Sequence, residues 1–448
     1  MFRARVNFRN RRVREGWIVN RRDFSRMAAM LSIAATGSLN VRALWSHKKK
    51  QQQTLPPAVT SPVVSVSGAN SLRSHGVATG LQVGCAVIPS LLDLEGARSG
   101  KTSDPYTQTV LDQANILVAE NAMKWSSLRP TPAGYDFTES DRLFAFAQVG
   151  GQLVRGHNLC WHEQLPGWFG SVATSENAAS LLTQHIETVA GRYAGRVQSW
   201  DVVNEAVYPP DGRPDGLRNS PWLQLIGPQY IELAFQTAAR ADPQAKLTYN
   251  DYDIELDTPE QEVKRGQVLL LLRRLHARGV PVQAVGIQSH LQATGPRPGV
   301  GLITFIRQVA TMGLDVYITE MDVNTHALEG GLDVQDDAVA AVYRDYLRLV
   351  LPEPNVKALL TWGISDAHTW LNTLKQPWTR RPDGSPQRPL PFDDHYQPTK
   401  AFFAMRDALD MPKKSSSQLD WTTPPRIQGD PFAPFAVPGS PRSAPNRP

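Results

Sequence analysis

Short runs of β-branched and aromatic residues recur along the middle of the chain, with helix-like segments between them. Apolar residues at three- and four-residue spacing in 180–194, 230–241 and 260–278 predict amphipathic helices, the last of which ends at Gly279. Strands that alternate with helices form a parallel sheet, and eight such units close it into a barrel. The sequence therefore predicts an α/β fold, a single (β/α)8 TIM barrel. The eight predicted strands cover residues 82–87, 116–119, 153–156, 199–203, 246–249, 284–288, 315–319 and 356–361.

Two of the strand-like runs deliver a glutamate at their carboxyl end. These are WDVVNE, which ends at Glu205, and VYITEMD, which contains Glu320. In a (β/α)8 barrel, the carboxyl ends of all strands meet at one face, where active sites lie. Two facing carboxylates can hydrolyse a glycosidic bond, because one protonates the leaving oxygen and the other attacks the anomeric carbon. We therefore interpret Glu205 as the acid/base and Glu320 as the nucleophile, although such a glutamate can also simply cap the next helix.

Polar groups and indoles follow several other predicted strands. Amides and charged groups can bind sugar hydroxyls, and apolar ring faces can stack on pyranose rings. A single tryptophan is more often a core residue, but three of them just past strand ends favour a sugar-binding cleft. The residues at these positions are Glu120, Asn121, Lys124, Trp125, His157, Trp161, His162, Gln164, Asn204, Asn250, Asp251, Tyr252, Gln288, His290, Asp322, Trp362, Asp366 and Trp370.

Six motifs in this order resemble those of glycoside hydrolase family 10, the endo-β-1,4-xylanases. They are ENAMKW at 120–125, GHNLCWHEQLPGW at 156–168, WDVVNEA at 200–206, NDY at 250–252, GIQSH at 286–290 and ITEMD at 318–322. The resemblance extends from about residue 75 to residue 409. It implies endo-acting hydrolysis of β-1,4-xylosidic bonds in xylan by a retaining double displacement.

The resemblance also implies roles for the residues around the two glutamates. Glu205 matches the family's acid/base and Glu320 its nucleophile, whose negative charge is expected to favour the protonated form of Glu205. Asn204 matches the residue that binds the sugar 2-hydroxyl. His290 matches a histidine that bonds the nucleophile, and Asp322 matches the aspartate that holds this histidine.

Further matches lie on the side of the cleft that binds the xylose units before the scissile bond. They are Glu120, Asn121, Lys124, His157, Trp161, Gln164, Trp362 and Trp370. Tyr252 and Gln288 are additional substrate-binding candidates. The resemblance implies xylan or xylo-oligosaccharide as the binding partner and neither metal nor organic cofactor, and we expect a monomer. The segment 372–387 is longer and more basic than the family pattern, which leaves the preferred xylan decoration and chain length open.

Two alternatives remain at this stage. A barrel acting on β-1,4- or mixed-linkage glucan is the main one, because glucose differs from xylose by one hydroxymethyl group and side-chain crowding near Trp362 and Gln164 would decide. A non-catalytic polysaccharide-binding barrel is the other. It would be expected to lack one carboxylate, whereas this chain keeps both.

The positive charge of the chain lies at its amino end. The whole chain has a formal charge of +5, and residues 1–50 hold 13 Arg and Lys against 2 acids, so residues 51–448 carry −6. A nucleic-acid-binding protein needs its basic residues on the folded domain. We therefore expect no nucleic-acid partner, and no membrane span, because no run reaches the roughly 18 apolar residues required.

The two ends differ in composition from the middle. Residues 1–47 are basic and contain Arg21-Arg22, followed by a charge-free, weakly apolar segment. This resembles a twin-arginine signal peptide and predicts export to the periplasm or the medium, with a plain basic tail as the alternative. We predict a linker over 48–74, the catalytic domain over 75–411, and a Pro-rich disordered tail over 412–448.

The chain contains two cysteines, Cys85 and Cys160. They fall on predicted strands one and three, about 9 to 10 Å apart, which is beyond the roughly 7 Å Cα separation that a disulfide allows. We predict two buried free thiols.

Overall fold

The computed structural model describes residues 65–414. The predicted signal peptide, most of the predicted linker and nearly all of the predicted tail lie outside the described residues. Among the residues described, no helix has both the length and the apolar character needed to cross a membrane.

Parallel strands form the centre of the fold. In chain order they are β1 (Gln82–Val87), β2 (Ile116–Ala119), β3 (Leu153–Cys160), β4 (Ser199–Asn204), β5 (Lys246–Asp251), β6 (Ala284–Ile287), β7 (His290–Gln292), β8 (Asp315–Asn324) and β9 (Val356–Thr361). Neighbours from β1 to β6 pair in sequence, β1 pairs with β9, β9 with β8, and β8 with β6. These eight strands close a barrel, which confirms the predicted fold. The short β7 adds to the carboxyl end of β8, with His290 opposite Asp322.

Helices alternate with the strands. They are α1 (Leu72–Thr79), α2 (Leu94–Ser99), α3 (Pro105–Gln113), α4 (Trp125–Leu128), α5 (Thr138–Gly150), α6 (Phe169–Val172), α7 (Ala178–Arg192), α8 (Pro221–Ile226), α9 (Tyr230–Ala241), α10 (Pro259–Ala277), α11 (Val300–Thr311), α12 (Leu332–Val350), α13 (Trp370–Thr373) and α14 (Lys400–Leu409). The ends of α10 follow local sequence rules: the Thr258 side chain caps its first turn, and Gly279 takes the left-handed conformation just beyond it.

Two apolar clusters stabilise the barrel. The larger one joins strands to the surrounding helices and includes the free thiols Cys85 and Cys160, both buried as predicted. The smaller one joins Ala86, Ala284 and Tyr317 from strands that are not all neighbours. Side chains of β1 and β6 can meet only across the barrel interior, so this cluster fills the barrel beneath the active-site face.

β3 and β8 are longer than the sequence predicted. The prediction ended them at residues 156 and 319, whereas β3 continues to Cys160 and β8 to Asn324. Their polar residues are typical of loops, but pairing with neighbouring strands overrides this preference, with a register shift in each strand. Glu320 consequently lies inside a strand instead of just beyond one.

The folded domain is larger than residues 75–411. Leu72 is buried, its backbone N–H donates to Gln113 Oε1 at 2.9 Å, and the Ser71 side chain caps α1. At the other end, Lys414 Nζ lies 2.9 Å from Glu353. The predicted linker and tail boundaries were therefore placed too close to the barrel, because one short helix in a polar segment gives no clear periodicity.

Removing residues 65–74 is expected to destabilise the barrel. A chain of residues 75–414 loses the buried Leu72 side chain, worth about 2 kcal/mol, and the Ser71 cap, worth about 1 kcal/mol. Calorimetry should show that it melts about 4 °C below residues 65–414. Val77→Ala in the longer chain is the control, because Val77 is 64% exposed on the same helix. Equal melting of the two chains would contradict the extended boundary.

Candidate active site

Two amide side chains connect Glu205 and Glu320. Asn204, the last residue of β4, donates to Glu205 Oε1 at 3.2 Å and accepts from Asn250 Nδ2 at 2.9 Å. The same Asn250 amide donates to Glu320 Oε1 at 2.8 Å. Both carboxyl groups are buried, with 9% of Glu205 and 4% of Glu320 exposed. The structure thus brings the predicted pair into one hydrogen-bonded network.

Asn250 was among the predicted rim residues but had no assigned role, and Gly286 was not predicted as a site residue. The Asn250 carbonyl oxygen accepts a hydrogen bond from Thr319 Oγ1 at 2.8 Å, which fixes the direction of its amide. A Cβ atom at Gly286 would come within 2.0 Å of that carbonyl oxygen. Only glycine at this position leaves room for Asn250. Two features of the sequence could have indicated these roles: the polar residue at the end of the fifth predicted strand and the glycine of the GIQSH motif.

Glu205 is held by contacts to its side chain and its backbone. Trp161 Nε1 donates to Oε2 at 2.8 Å, and Gln288 Nε2 donates to Oε1 at 2.9 Å. The backbone of Glu205 has a φ of 60°, in the left-handed region that non-glycine residues seldom adopt. Its carbonyl oxygen accepts from Arg218 Nε at 2.8 Å.

The environment favours the protonated form of Glu205. Burial raises the pKa of its carboxyl group, against the opposing hydrogen bonds from Gln288 and Trp161, and the charge of Asp251 raises it further. The largest cause is therefore burial, and the charge of Glu320 is not among the main causes. A buried carboxyl without a cationic donor loses more hydration than it regains.

The environment of Glu320 has the opposite effect. Burial alone would raise the pKa of its carboxyl group, but a hydrogen bond from His290, the charges of His157 and His290, and the Asn250 amide lower it to about 2. His290 Nε2 lies 3.3 Å from Glu320 Oε2, and its Nδ1 lies 2.9 Å from Asp322 Oδ1. Glu320 is therefore a carboxylate at neutral pH.

His290 is an imidazolium that contacts the carboxylates of Glu320 and Asp322. Burial lowers the pKa of its ring, but Asp322 and Glu320 together raise it well above the usual value. A protonated ring donates from both nitrogens, which matches its two contacts. Asp322 also accepts from Trp370 Nε1 at 2.6 Å, so its orientation is fixed from two sides.

Lys124 lies between two of the predicted tryptophans. Its Nζ is 5.1 Å from the centre of the Trp161 ring and 5.7 Å from that of Trp362, and it donates to Asn121 Oδ1 at 3.0 Å. Burial lowers the pKa of Lys124, although the charges of Glu320 and other glutamates oppose this. Lys124 therefore lies next to three other predicted candidates, Asn121, Trp161 and Trp362.

Glu120 and Asn121 border a cleft of about 330 Å³ that also includes Ser90, Ser127 and Glu139. Neither Glu205 nor Glu320 is part of its lining. Burial raises the pKa of Glu120, and the Asn121 amide donates to it at 3.2 Å. The cleft gives these two candidates open space in which to meet a ligand.

His157 and Trp362 are more enclosed than the sequence suggested. His157 is 2% exposed and bonds Asp201 Oδ2 through Nδ1 at 2.9 Å, while Asp201 also pairs with Arg155. The Trp362 ring is 7% exposed and meets the His157 ring edge-on at 5.3 Å. Only a narrow part of each side chain can face a ligand.

Tyr252 and Gln164 lie at the border of the site. Arg218 Nη2 donates to the Tyr252 hydroxyl at 2.8 Å, and Lys264 Nζ lies 3.8 Å from the centre of the Tyr252 ring. These contacts fix the phenol close to the backbone of Glu205, which Arg218 also binds. Gln164 is exposed and has a φ of 48°.

One group of side chains within residues 65–414 comes close enough to share a metal ion. It consists of Asp393, Asp394 and His395, on a surface turn. Asp393 Oδ1 accepts the backbone N–H groups of His395 and Gln397, at 2.9 and 2.8 Å. This turn geometry explains the clustering without an ion.

A parallel barrel with two buried carboxyl groups of opposite pKa shift, joined at its active-site face, has the equipment of a glycoside hydrolase. Comparison with known proteins specifies which one: the model of glycosyl hydrolase family 10 matches residues 71–408. The chain belongs to this family.

Relatives and solved structures agree with this membership. Endo-1,4-beta-xylanase B of Thermotoga neapolitana is 34% identical over 312 residues, which cover 69% of this chain and 84% of that protein. A thermostable celloxylanase of Thermoclostridium stercorarium is 34% identical over 350 residues, 72% of this chain and 84% of its own length. The crystal structure of xylanase 10B from Thermotoga petrophila RKU-1 in complex with xylobiose superposes with a TM-score of 0.67 at 34% identity, covering 76% of this chain and 97% of that one.

Replacing His290 should narrow the pH range of activity from the acid side. Turnover needs Glu320 charged and Glu205 protonated, so the acid limb of kcat/KM follows the pKa of Glu320. His290→Gln removes the positive charge that keeps this pKa near 2. Kinetics on an aryl β-glycoside should show the acid limb at higher pH and the alkaline limb in place. His276→Gln, at an exposed position, is the control. An unmoved acid limb would show that His290 does not set the charge state of Glu320.

Proposed function

We propose that this protein is an endo-1,4-β-xylanase that cleaves xylan with retention of anomeric configuration. The observation that carries the proposal is the opposite shift of the two buried carboxyl groups, Glu205 upward and Glu320 to about 2. One group is protonated and the other charged in the same pH range, as acid-assisted nucleophilic displacement requires. The xylanase names of the relatives support the choice of substrate.

In the first step, Glu320 attacks the anomeric carbon as Glu205 transfers its proton to the leaving glycosidic oxygen. The bond between the anomeric carbon and that oxygen breaks, and a glycosyl ester forms on Glu320. The 2.8 Å hydrogen bond from Asn250 and the imidazolium of His290 orient the attacking carboxylate. Asn204 lies between the two carboxyl groups, where it can bind the sugar 2-hydroxyl.

In the second step, Glu205 acts as a base. Esterification removes the negative charge of Glu320, which lowers the pKa of the nearby Glu205 after its proton has left. Glu205 then takes a proton from water, which attacks the anomeric carbon and releases Glu320 as a carboxylate. Two inversions give net retention, and hydrogen bonds from Trp161 and Gln288 keep Glu205 in place for both steps.

The remaining candidates supply the binding cleft for a xylo-oligosaccharide. Lys124, Asn121 and Glu120 offer polar groups beside the Trp161 ring, and Trp370 offers a partly exposed ring beside His290. A monomer can supply all of these contacts, because each comes from the same chain. We propose that the protein acts as one.

A β-glucan remains the second candidate substrate. The observation in its favour is the celloxylanase among the relatives, which is 34% identical over 350 residues. Reducing-sugar release from xylan and from carboxymethylcellulose decides between the two. We expect xylan to be the better substrate, and a preference for carboxymethylcellulose would replace the xylanase proposal.

Azide should restore different reactions in the two carboxylate variants. Glu205→Ala should fail on xylan, whose poor leaving group needs the acid, yet still be glycosylated by an aryl xylobioside with a good leaving group. Azide should then accelerate its turnover and give the β-glycosyl azide. Glu320→Gly should lose the covalent step, and azide in the vacated space should give the α-glycosyl azide. Proton NMR identifies both products.

The native enzyme provides the check on this mechanism. Its first product on xylo-oligosaccharide should be the β-anomer, seen by proton NMR before mutarotation. An α-anomer as first product would show that Glu320 is not a nucleophile.

We also propose that the chain is exported by the twin-arginine route. Support comes from Arg21-Arg22 and the apolar segment after it, outside the described residues. Lysine at both positions should retain full-length enzyme in the cytoplasm, whereas lysine at Arg11 and Arg12 in the same basic region should not. Cell fractionation measures this, and normal secretion of the first variant would exclude the route.

A further inference from the structure

An exposed tryptophan lies next to the aromatic edge of the active site. The Trp378 ring is 45% exposed, and its centre is 5.6 Å from that of Trp370, with an angle of 62° between the two rings. Trp370 in turn lies 5.1 Å from the His290 ring and donates to Asp322. The structure therefore continues the aromatic surface outward from the nucleophile to an exposed indole.

Strand β8 supports this surface at every second residue. Glu320 is the nucleophile, Asp322 accepts from the Trp370 indole, and Asn324 Nδ2 donates to the Trp378 carbonyl at 3.0 Å. Four residues of extended strand separate the first of these from the last, a rise of about 13 Å. Trp378 is thus anchored to the element that carries the nucleophile, at a distance beyond the reacting sugar.

Buried polar side chains hold the loop 372–387, which carries Trp378, in place. Gln387 is fully buried, its Nε2 donates to the Thr379 carbonyl at 2.6 Å, and its Oε1 accepts from the Thr325 backbone at 2.6 Å. Arg381 is 4% exposed and donates to the Thr325 carbonyl at 2.8 Å. An exposed indole on such a support has little conformational freedom to lose on binding, as a stacking surface for sugar requires.

Two cations without partners among residues 65–414, Lys375 and Arg380, lie three residues before and two residues after Trp378 in the same loop. Lys375 and Arg380 are exposed, and their side chains make no ion pair or hydrogen bond with any residue of the described part of the chain. Arg381, by contrast, is paired with Asp383 at 3.0 Å. A neutral xylose chain gives such cations nothing to pair with. A pyranose that bears a carboxylate fits both the ring and the charges.

We propose that Trp378, Lys375 and Arg380 form a subsite for uronic-acid side groups on xylan. Trp378 stacks on the uronic-acid ring, and the two cations pair with its carboxylate. This proposal rests on the proposed xylanase function and names a substrate class for it. Selectivity for acidic xylan is then a property of the segment 372–387, while Glu205 and Glu320 perform the same chemistry on every xylan.

Charge removal gives the first test. Lys375→Gln/Arg380→Gln should lower kcat/KM on glucuronoxylan about fivefold relative to linear xylo-oligosaccharide in low salt. The fivefold difference between the variant and the native enzyme should disappear in 0.5 M NaCl, where the Debye length is only about 4 Å. Lys246→Gln/Lys357→Gln makes the same charge change at the amino ends of β5 and β9, on the opposite face, and should not change the ratio. An equal loss on both substrates, or no loss, would overturn the proposal.

Stacking is tested with Trp378→Ala and Trp378→Phe. Alanine should lower kcat/KM on glucuronoxylan, relative to that on linear xylo-oligosaccharide, about fivefold. Phenylalanine should restore most of this loss because it keeps an apolar ring. Melting temperature identifies a variant that fails to fold. If phenylalanine behaves like alanine in a folded protein, stacking is not the role of Trp378.

A binding measurement distinguishes an error in the proposed subsite from an error in the proposed xylanase function. Calorimetry on the Glu320→Gln variant measures affinity for a uronic-acid-substituted xylo-oligosaccharide and for the unsubstituted one, without turnover. We expect about fivefold tighter binding of the acidic ligand, lost when Lys375 and Arg380 are neutralised. Equal affinities would contradict the subsite even if the enzyme cleaves xylan. A native enzyme inactive on all xylans would contradict the function, whatever the affinities.

Discussion

The hydrogen bond between the imidazolium of His290 and Glu320 is the interaction on which the site depends. Both glutamates are buried, and burial by itself raises the pKa of both. Only Glu320 has a charged donor 3.3 Å away, and that donor is held by Asp322. The resulting separation of the two pKa values assigns opposite roles to chemically identical side chains. The amides of Asn204, Asn250 and Gln288 then position the two carboxyl groups.

β8 organises the face of the barrel around that interaction. It supplies Glu320 and the aspartate that orients His290, and its side chains also bind Trp370 and the loop of Trp378. A displacement of this strand would move the nucleophile, its charge partner and the aromatic surface together. The apolar cluster inside the barrel, which includes Tyr317 from the same strand, opposes such a displacement from below.

The sequence was sufficient for the fold and for the two glutamates, because strand periodicity places strand-end residues on one face whatever the details of packing. It was insufficient for the roles of Asn250 and Gly286, which depend on a contact between β5 and β6 too close for a Cβ atom at Gly286. It also missed the extensions of β3 and β8, where strand pairing overrides the loop preference of polar residues. Burial, the main cause of the raised pKa of Glu205, also cannot be read from neighbours in sequence.

The left-handed backbone of Glu205 has a consequence for how this enzyme can evolve. A glutamate with a φ of 60° is strained by about 1 to 3 kcal/mol, and glycine in the same place would not be. Replacement of Glu205 by glycine therefore relieves this strain at the same time as it removes the acid. An inactive descendant with glycine here would lose turnover without paying the backbone strain of its parent, so selection for catalysis is what keeps the glutamate in place.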